Sequence, residues 1–222
     1  AMIELAAAAT TTFNPNANPE TTSVDGYTRR SGTDETWASL RAGAATAVFD
    51  SATTAGVFVH ATTTSNQFDV MDRAHFLFDT ASLGATASIS SATCELYIQA
   101  KAETNAQSLG LVATAPATNT ALVTGDHATL GTTRYATDLT IASLTTSAFN
   151  VWTLNATGRS NISKVGVTKI GSRLSADIDN VAPTWASAGG WKLTIQTADG
   201  ANDPKLIVVY VLTGAGGAAV IF

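Results

Sequence analysis

The chain has 222 residues, with 12 Lys+Arg against 17 Asp+Glu and a net charge of −5. This length suits one large domain that needs no disulfide or metal to fold. The acidic balance argues against a nucleic-acid binder, which would carry a basic patch or stripe, and 45% hydrophobic residues exclude a disordered chain. Charged residues are only 13% of the chain, while Ala and Thr fill about a third of it, a composition closer to a structural protein than to a charged enzyme surface.

Residues 1–24 combine Ile3, Leu5 and a run of alanines with Asn14-Pro15-Asn16 and Asn18-Pro19-Glu20. Proline disfavours helix in the residue before it, so this segment reads as an extended N-terminal arm. A single domain over 25–213 is expected next. Short alternating runs predict strands at Ala47–Phe49, Val57–His60, Arg73–Phe78, Ala92–Ala100, Ser108–Ala113, Phe149–Leu154, Val165–Ile170 and Trp191–Thr197. Lys205–Leu212 is continuously apolar and is expected to be a central strand buried on both faces. One helical turn is predicted near Gly158–Ser163. The stretch from Leu111 to Thr140 is polar and Thr/Ala-rich, and reads as a surface connection with little regular structure. After the joint Gly214-Ala215-Gly216-Gly217, residues 214–222 end in the apolar tail Ala218–Phe222. The apolar stretch from Leu206 is broken by glycines and is shorter than the ~20 residues of a membrane span.

Eight or nine short strands separated by Gly, Asn, Asp, Ser and Thr turns imply an all-β fold. An antiparallel β-sandwich of jelly-roll type fits that count, with an extended N-terminal arm and an apolar C-terminal tail.

Catalytic signatures are missing from the sequence. His60, His75 and His127 are scattered and show no metal-ligand spacing. No G-x-S-x-G, phosphate loop or H-E-x-x-H is present. Asp34, Glu35, Asp69, Asp72 and Glu95 are available for the two facing carboxylates of a glycosidase, which would make the protein a polysaccharide hydrolase, but they read as solvated turn residues. Cys94, the only cysteine, alternates with Leu96 and Ile98 and reads as a buried hydrophobe. Asp177-Ile178-Asp179-Asn180 alternates oxygen-bearing side chains, so Asp177, Asp179 and Asn180 are candidate ligands for Ca²⁺; the alternative is an Asx turn between strands. Of the four tryptophans, Trp152 and Trp191 lie on predicted strands and read as core. Trp37 is a candidate contact with a neighbouring subunit. Trp185 follows Pro183-Thr184 in a predicted loop and is the candidate platform for a glycan.

The run Phe76-Leu77-Phe78-Asp79-Thr80-Ala81-Ser82-Leu83, followed by Ile89-Ser90-Ser91-Ala92-Thr93-Cys94-Glu95-Leu96-Tyr97-Ile98, resembles the core of the DNRLRE-type jelly-roll modules. Cys94 stands where that pattern has a Leu. Trp152-Thr153-Leu154-Asn155 with Gly158 and Ile162, and Asp203-Pro204-Lys205-Leu206-Ile207-Val208-Val209-Tyr210, are similar to its later segments. The resemblance spans roughly residues 73–211. Such modules are similar to carbohydrate-binding jelly rolls and occur in bacterial surface and phage virion proteins. The resemblance therefore implies a binding or structural role outside the cytoplasm.

Together these readings lead to a non-enzymatic extracellular structural protein, a self-associating subunit of a virion (capsid decoration, head or tail fibre) or of a surface filament. Its expected partners are copies of itself or other virion or surface structural proteins, with no nucleic acid and no membrane span. Ile3, Leu5, Val220, Ile221 and Phe222 are the expected assembly residues, because apolar terminal segments are costly in water unless covered. A carbohydrate-binding adhesin or module is the alternative. No cofactor is expected beyond the candidate Ca²⁺.

Overall fold

The computed structural model describes residues 7–103 and 106–212. Within them twelve strands follow one another as β1 (Ala9–Phe13), β2 (Asp25–Glu35), β3 (Ala47–Phe49), β4 (Thr54–Ala61), β5 (Phe68–Asp79) and β6 (Ala87–Glu103), then β7 (Ser108–Ala113), β8 (Leu139–Thr140), β9 (Ala148–Thr153), β10 (Val167–Leu174), β11 (Gly190–Gln196) and β12 (Lys205–Leu212). Three short α-helices, α1 (Trp37–Ala42), α2 (Ala156–Ser160) and α3 (Ser175–Asp179), and three short 3-10 helices lie between them. Among the described residues no helix is long and apolar enough to cross a membrane.

All strand pairs in the sheet are antiparallel, along the path β1-β12-β6-β11-β4-β5-β10-β7-β8. Two long strands let this path curl. On β5, Phe76 pairs with β2 on one side and β10 on the other, while Asp72 pairs with β2 and β4. One edge of β5 thus passes from β4 to β10. On β6, Cys94 pairs with β9 and β12, whereas Ile98 pairs with β9 and β11. The curled, all-antiparallel sheet is consistent with the sandwich expected from the strand count.

Period-2 alternation fills its interior. Cys94, Leu96 and Ile98 of β6, Leu193 and Ile195 of β11, and Leu206 and Val208 of β12 are all buried in one cluster with Trp152 and Trp191. On β12 the other face is only half-buried at Ile207 and Val209, so the strand is covered on one face and not on both as expected. Nor is it alone at the end of the sheet. Residues 9–13 of the expected arm form β1 and pair along β12 from Ala9↔Tyr210 to Phe13↔Leu206.

A second buried layer lies on the opposite face of β5. Ala74, Phe76 and Phe78 enter the main cluster, while the alternating Arg73, His75 and Leu77 are equally buried on the other side. Their cover is the segment between β7 and β8, which has little regular structure, as expected, but buries several of its side chains in addition to running over the surface. Leu122 from that segment packs with Leu77 and Val24, and Leu130 packs with Val112 and Ile178. The segment comes so close that a Cβ at Gly171 of β10 would lie 2.7 Å from Leu130 Cδ2 and 3.2 Å from Thr114 Cβ. A larger residue there would have to displace Leu130 and Thr114, so glycine suits that close approach.

β2 escaped the sequence reading because its face is polar rather than alternating. It is held by pairing with β5, where Arg29 sits directly opposite Asp72 and forks onto it at 2.7 and 2.8 Å. The helices are equally local. Thr36 caps α1 by accepting from the backbone N–H of Ser39, and Asn155 caps α2 through Gly158. α2 begins two residues before the predicted turn and overlaps it over residues 158–160.

Candidate functional site

The polar groups of the second layer form the most concentrated charged site among the described residues. Ser172 pairs with Ala74, which places Arg173 of β10 beside Arg73 of β5, one step further along. Two adjacent guanidinium groups repel, and both are almost sealed from solvent, at 4% and 3% exposure. Asp177, four residues after Arg173 on α3, sits between them. Arg73 donates from Nε to Oδ2 (2.7 Å) and from Nη2 to Oδ1 (2.8 Å). Arg173 donates from Nε to Oδ2 (2.7 Å) and from Nη2 to Oδ1 (2.6 Å). Arg41 of α1 adds a third guanidinium, with Nε 3.3 Å from Oδ1 and donating to the Asp177 carbonyl at 2.9 Å. Burial pushes the Asp177 carboxyl up, but the hydrogen bonds from Arg173 and Arg73 outweigh it and hold the group at about 2. Arg73 is shifted down, first by burial and then by its cationic neighbours Arg173 and Arg41, against the pull of Asp177.

A hydroxyl–imidazole chain adjoins this cluster. Thr28 Oγ1 lies 2.9 Å from His127 Nδ1 and 3.2 Å from His75 Nε2, and His75 Nδ1 lies 2.8 Å from Thr114 Oγ1. Arg73 links the two systems by donating to the His127 carbonyl at 2.7 Å. Both rings are fully buried. Burial, with the second ring and Arg73 adding to it for His75 and Arg73 for His127, pushes both values down to about 3, so both rings are neutral at pH 7. Such rings orient hydroxyls and pin one layer to the other, and neither reaches the surface where a substrate would stand.

The candidate Ca²⁺ ligands are engaged elsewhere. Asp177 faces inward onto Arg73 and Arg173, Asp179 is held by both Nη atoms of Arg134 at 2.8 Å, and Asn180 is the left-handed C-cap of α3. The segment read as an open loop is a helical turn, and its carboxylates face guanidinium groups. No group of three or more His, Cys, Asp or Glu is placed to hold a metal among the described residues. The other carboxylates do not converge either. Asp72 pairs with Arg29, Glu35 with Arg30 and Asp69 with His60, while Asp34 accepts from Thr62.

Trp185 is half-buried and packs against the main core, with its indole nitrogen enclosed and without a partner, instead of standing out of the surface. Trp37 packs edge-on against Phe68 of its own chain, with ring centroids 5.4 Å apart. Trp152 and Trp191 are core residues, and Cys94 is fully buried, its thiol pushed up to about 12 by burial. Asp25, which the sequence reading passed over, is fully buried too. It accepts from the Ala198 N–H at 3.0 Å, its Oδ1 has no partner, and burial above all raises it well beyond the usual carboxylate range. An isolated carboxylate in an otherwise ordinary turn sequence carries no signal of such burial. Arg73 and Arg173 did carry one: a cation inside an alternating strand, and an Arg-x-x-x-Asp spacing leading into a turn.

The expected assembly residues Ile3, Leu5, Val220, Ile221 and Phe222 lie outside the described residues. The strands to which their segments attach are adjacent, since Ala9 of β1 pairs with Tyr210 of β12. β1 has no second partner among the described residues, and its Ala9, Thr10 and Thr12 are exposed. No protein-family model matches the chain, and no curated protein matches its sequence.

Proposed function

We propose that the protein is a non-enzymatic structural subunit of a virion or extracellular filament, joined to its neighbours through the corner where β1 meets the end of β12. The observation that carries this reading is the register Ala9↔Tyr210. It brings the attachment points of two apolar segments, one with Ile3 and Leu5 and one with Val220, Ile221 and Phe222, to a single corner of the sheet. An unpaired edge invites strand addition, and proteins normally blunt it with charge, proline or a bulge. β1 reads Ala-Thr-Thr-Thr-Phe and has none of these. Leu212, at the same corner, is 52% exposed. An extended segment of another copy would satisfy the edge N–H and C=O groups. Each of Val220, Ile221 and Phe222 would contribute roughly 1.5–3 kcal/mol on burial, before ordering costs.

The low charge, the Ala/Thr-rich composition and the likeness to surface and virion modules support an extracellular or virion-surface location. Sedimentation of the full chain tests the assembly. A defined oligomer or polymer is expected, reduced to monomer by removing residues 1–8 and 213–222, and weakened by Thr10→Lys with Thr12→Lys. An unchanged mass in both variants overturns the reading. The carbohydrate-binding alternative requires a ring face open to a sugar. Retention of a glycan by the full chain, lost in Trp185→Ala at unchanged thermal stability, would replace the structural reading.

A further inference from the structure

Hydrogen-bond accounting around Asp177 leaves one guanidinium unfilled. A guanidinium has five N–H donors in a planar fork. Arg173 spends all five: Nε and Nη2 on the Asp177 carboxylate, Nη2 also on the Asp177 carbonyl, and Nη1 on the carbonyls of Leu130 and Gly131. Arg73 spends four, on Asp177, the His127 carbonyl and the Arg41 carbonyl. Arg41 spends only Nε. Its Nη1 and Nη2 have no hydrogen-bond or ion-pair partner among the described residues. Three cations share one carboxylate, a surplus of two positive charges.

These groups line a cleft of about 240 Å³ with Gly43, Leu130 and Thr132. Sites for drug-sized ligands run from about 300 to 1,000 Å³, so this one suits an ion-sized group with its water. The neighbouring acids are already engaged. Asp126 accepts from the backbone N–H groups of Ala117 and Val123, and Glu35 is paired with Arg30. Arg41 is anchored through Nε while its outer edge stays free, so its fork is held in place for a planar or tetrahedral oxyanion.

We infer that this cleft binds a small oxyanion, a phosphate, sulfate or carboxylate group, through the Nη atoms of Arg41 backed by the positive field of Arg73 and Arg173. The site is independent of the assembly corner.

The test is calorimetric titration of the full chain with sodium phosphate, sodium sulfate and sodium acetate, at ionic strength held constant with sodium chloride. Saturable binding of at least one of the three is expected, with affinity falling by about tenfold or more in Arg41→Ala and recovering in part in Arg41→Lys. Circular dichroism establishes that Arg41→Ala is folded. The arginine side-chain NMR resonances of the unmodified chain give a second reading, with Arg41 the most strongly shifted by the bound ion. Preference for phosphate and sulfate over acetate would identify a tetrahedral group, and the reverse a carboxylate. No saturable binding of any probe, equal affinity in Arg41→Ala, or unshifted Arg41 resonances would overturn the inference.

Discussion

The two buried layers of this protein are held by different physics. Around β12, β6 and β11 the contacts are apolar and non-directional, and any side chain of the right size and polarity serves. On the far face of β5 and β10, Arg73, Arg173, Asp177, His75 and His127 are buried with their partners fixed atom by atom. The first layer draws its stability from area removed from water. The second contributes little net stability for its burial, because desolvating charges offsets much of their attraction, yet it punishes the loss of any single member. The polar layer thus specifies where the 114–138 segment and α3 dock, while the apolar layer makes the sandwich stable.

That contrast can be broken most severely from the apolar side. Val208→Asp places a carboxylate with no partner among Leu206, Cys94 and Trp152, at a cost of several kcal/mol against a typical domain stability of 5–15. No native circular dichroism is expected. A soluble, cooperatively melting Val208→Asp would show that β12 is not part of the core.

In the polar layer, Asp177→Ala leaves two buried guanidinium groups unneutralised and should cost about 3–5 kcal/mol in urea denaturation. The apolar triple replacement of Arg73, Arg173 and Asp177 by residues of similar volume should recover most of that loss. If Asp177→Ala and the triple variant unfold at the same urea concentration, unpaired charge is not the cause.

Acidification sharpens the comparison, because the polar layer carries two buried neutral imidazoles. His75 and His127 are held at about 3, against an ordinary 6.5. The unfolded chain therefore takes up protons that the folded chain refuses as pH falls below 6.5. Stability is complete above that value and declines progressively towards pH 3. Asp177, held at about 2, adds a further loss between pH 3.8 and 2. Urea midpoints from pH 7 to 4 should fall in the unmodified chain and fall less steeply in His75→Gln with His127→Gln. Identical slopes would contradict the buried, neutral assignment.

Asp25 works with the opposite sign. Its raised value means that the folded chain keeps a proton the unfolded chain has released, so its contribution is present below pH 3.8 and is lost as pH rises through the folded value. Asp25→Asn keeps an acceptor for the Ala198 N–H and should raise the urea midpoint at pH 7 more than at pH 4. A lower midpoint at pH 7 would mean that the ionised carboxylate is the stable form. The smallest effect belongs to Asp179→Ala, whose side chain is 48% exposed beside Arg134. It should cost less than about 1 kcal/mol and should shrink further at high salt.

Much of the strand pattern was legible in the residues. Ser108–Ala113, Ala47–Phe49 and Lys205–Leu212 coincide with observed strands, and the alternation of Cys94, Leu96 and Ile98 correctly placed one face of β6 in the core. Burial of one face and solvation of the other imposes a period of two that a linear sequence displays. β2 and β1 were missed. Their side chains, Arg29, Arg30 and a row of threonines, answer to the strand beside them and not to a local period.

The residues by themselves determined the all-β class, the main strands and the apolar identity of Trp152, Trp191 and Cys94, since each follows from composition and local periodicity. Tertiary structure alone decided that Asp177 faces three arginines, that the 111–140 stretch covers a second layer, and that Ala9 lies beside Tyr210. Residues separated by 104 positions, as Arg73 and Asp177 are, have no local signature of their meeting. Their pairing depends on which strands the sheet places side by side, and only the folded chain supplies that neighbour.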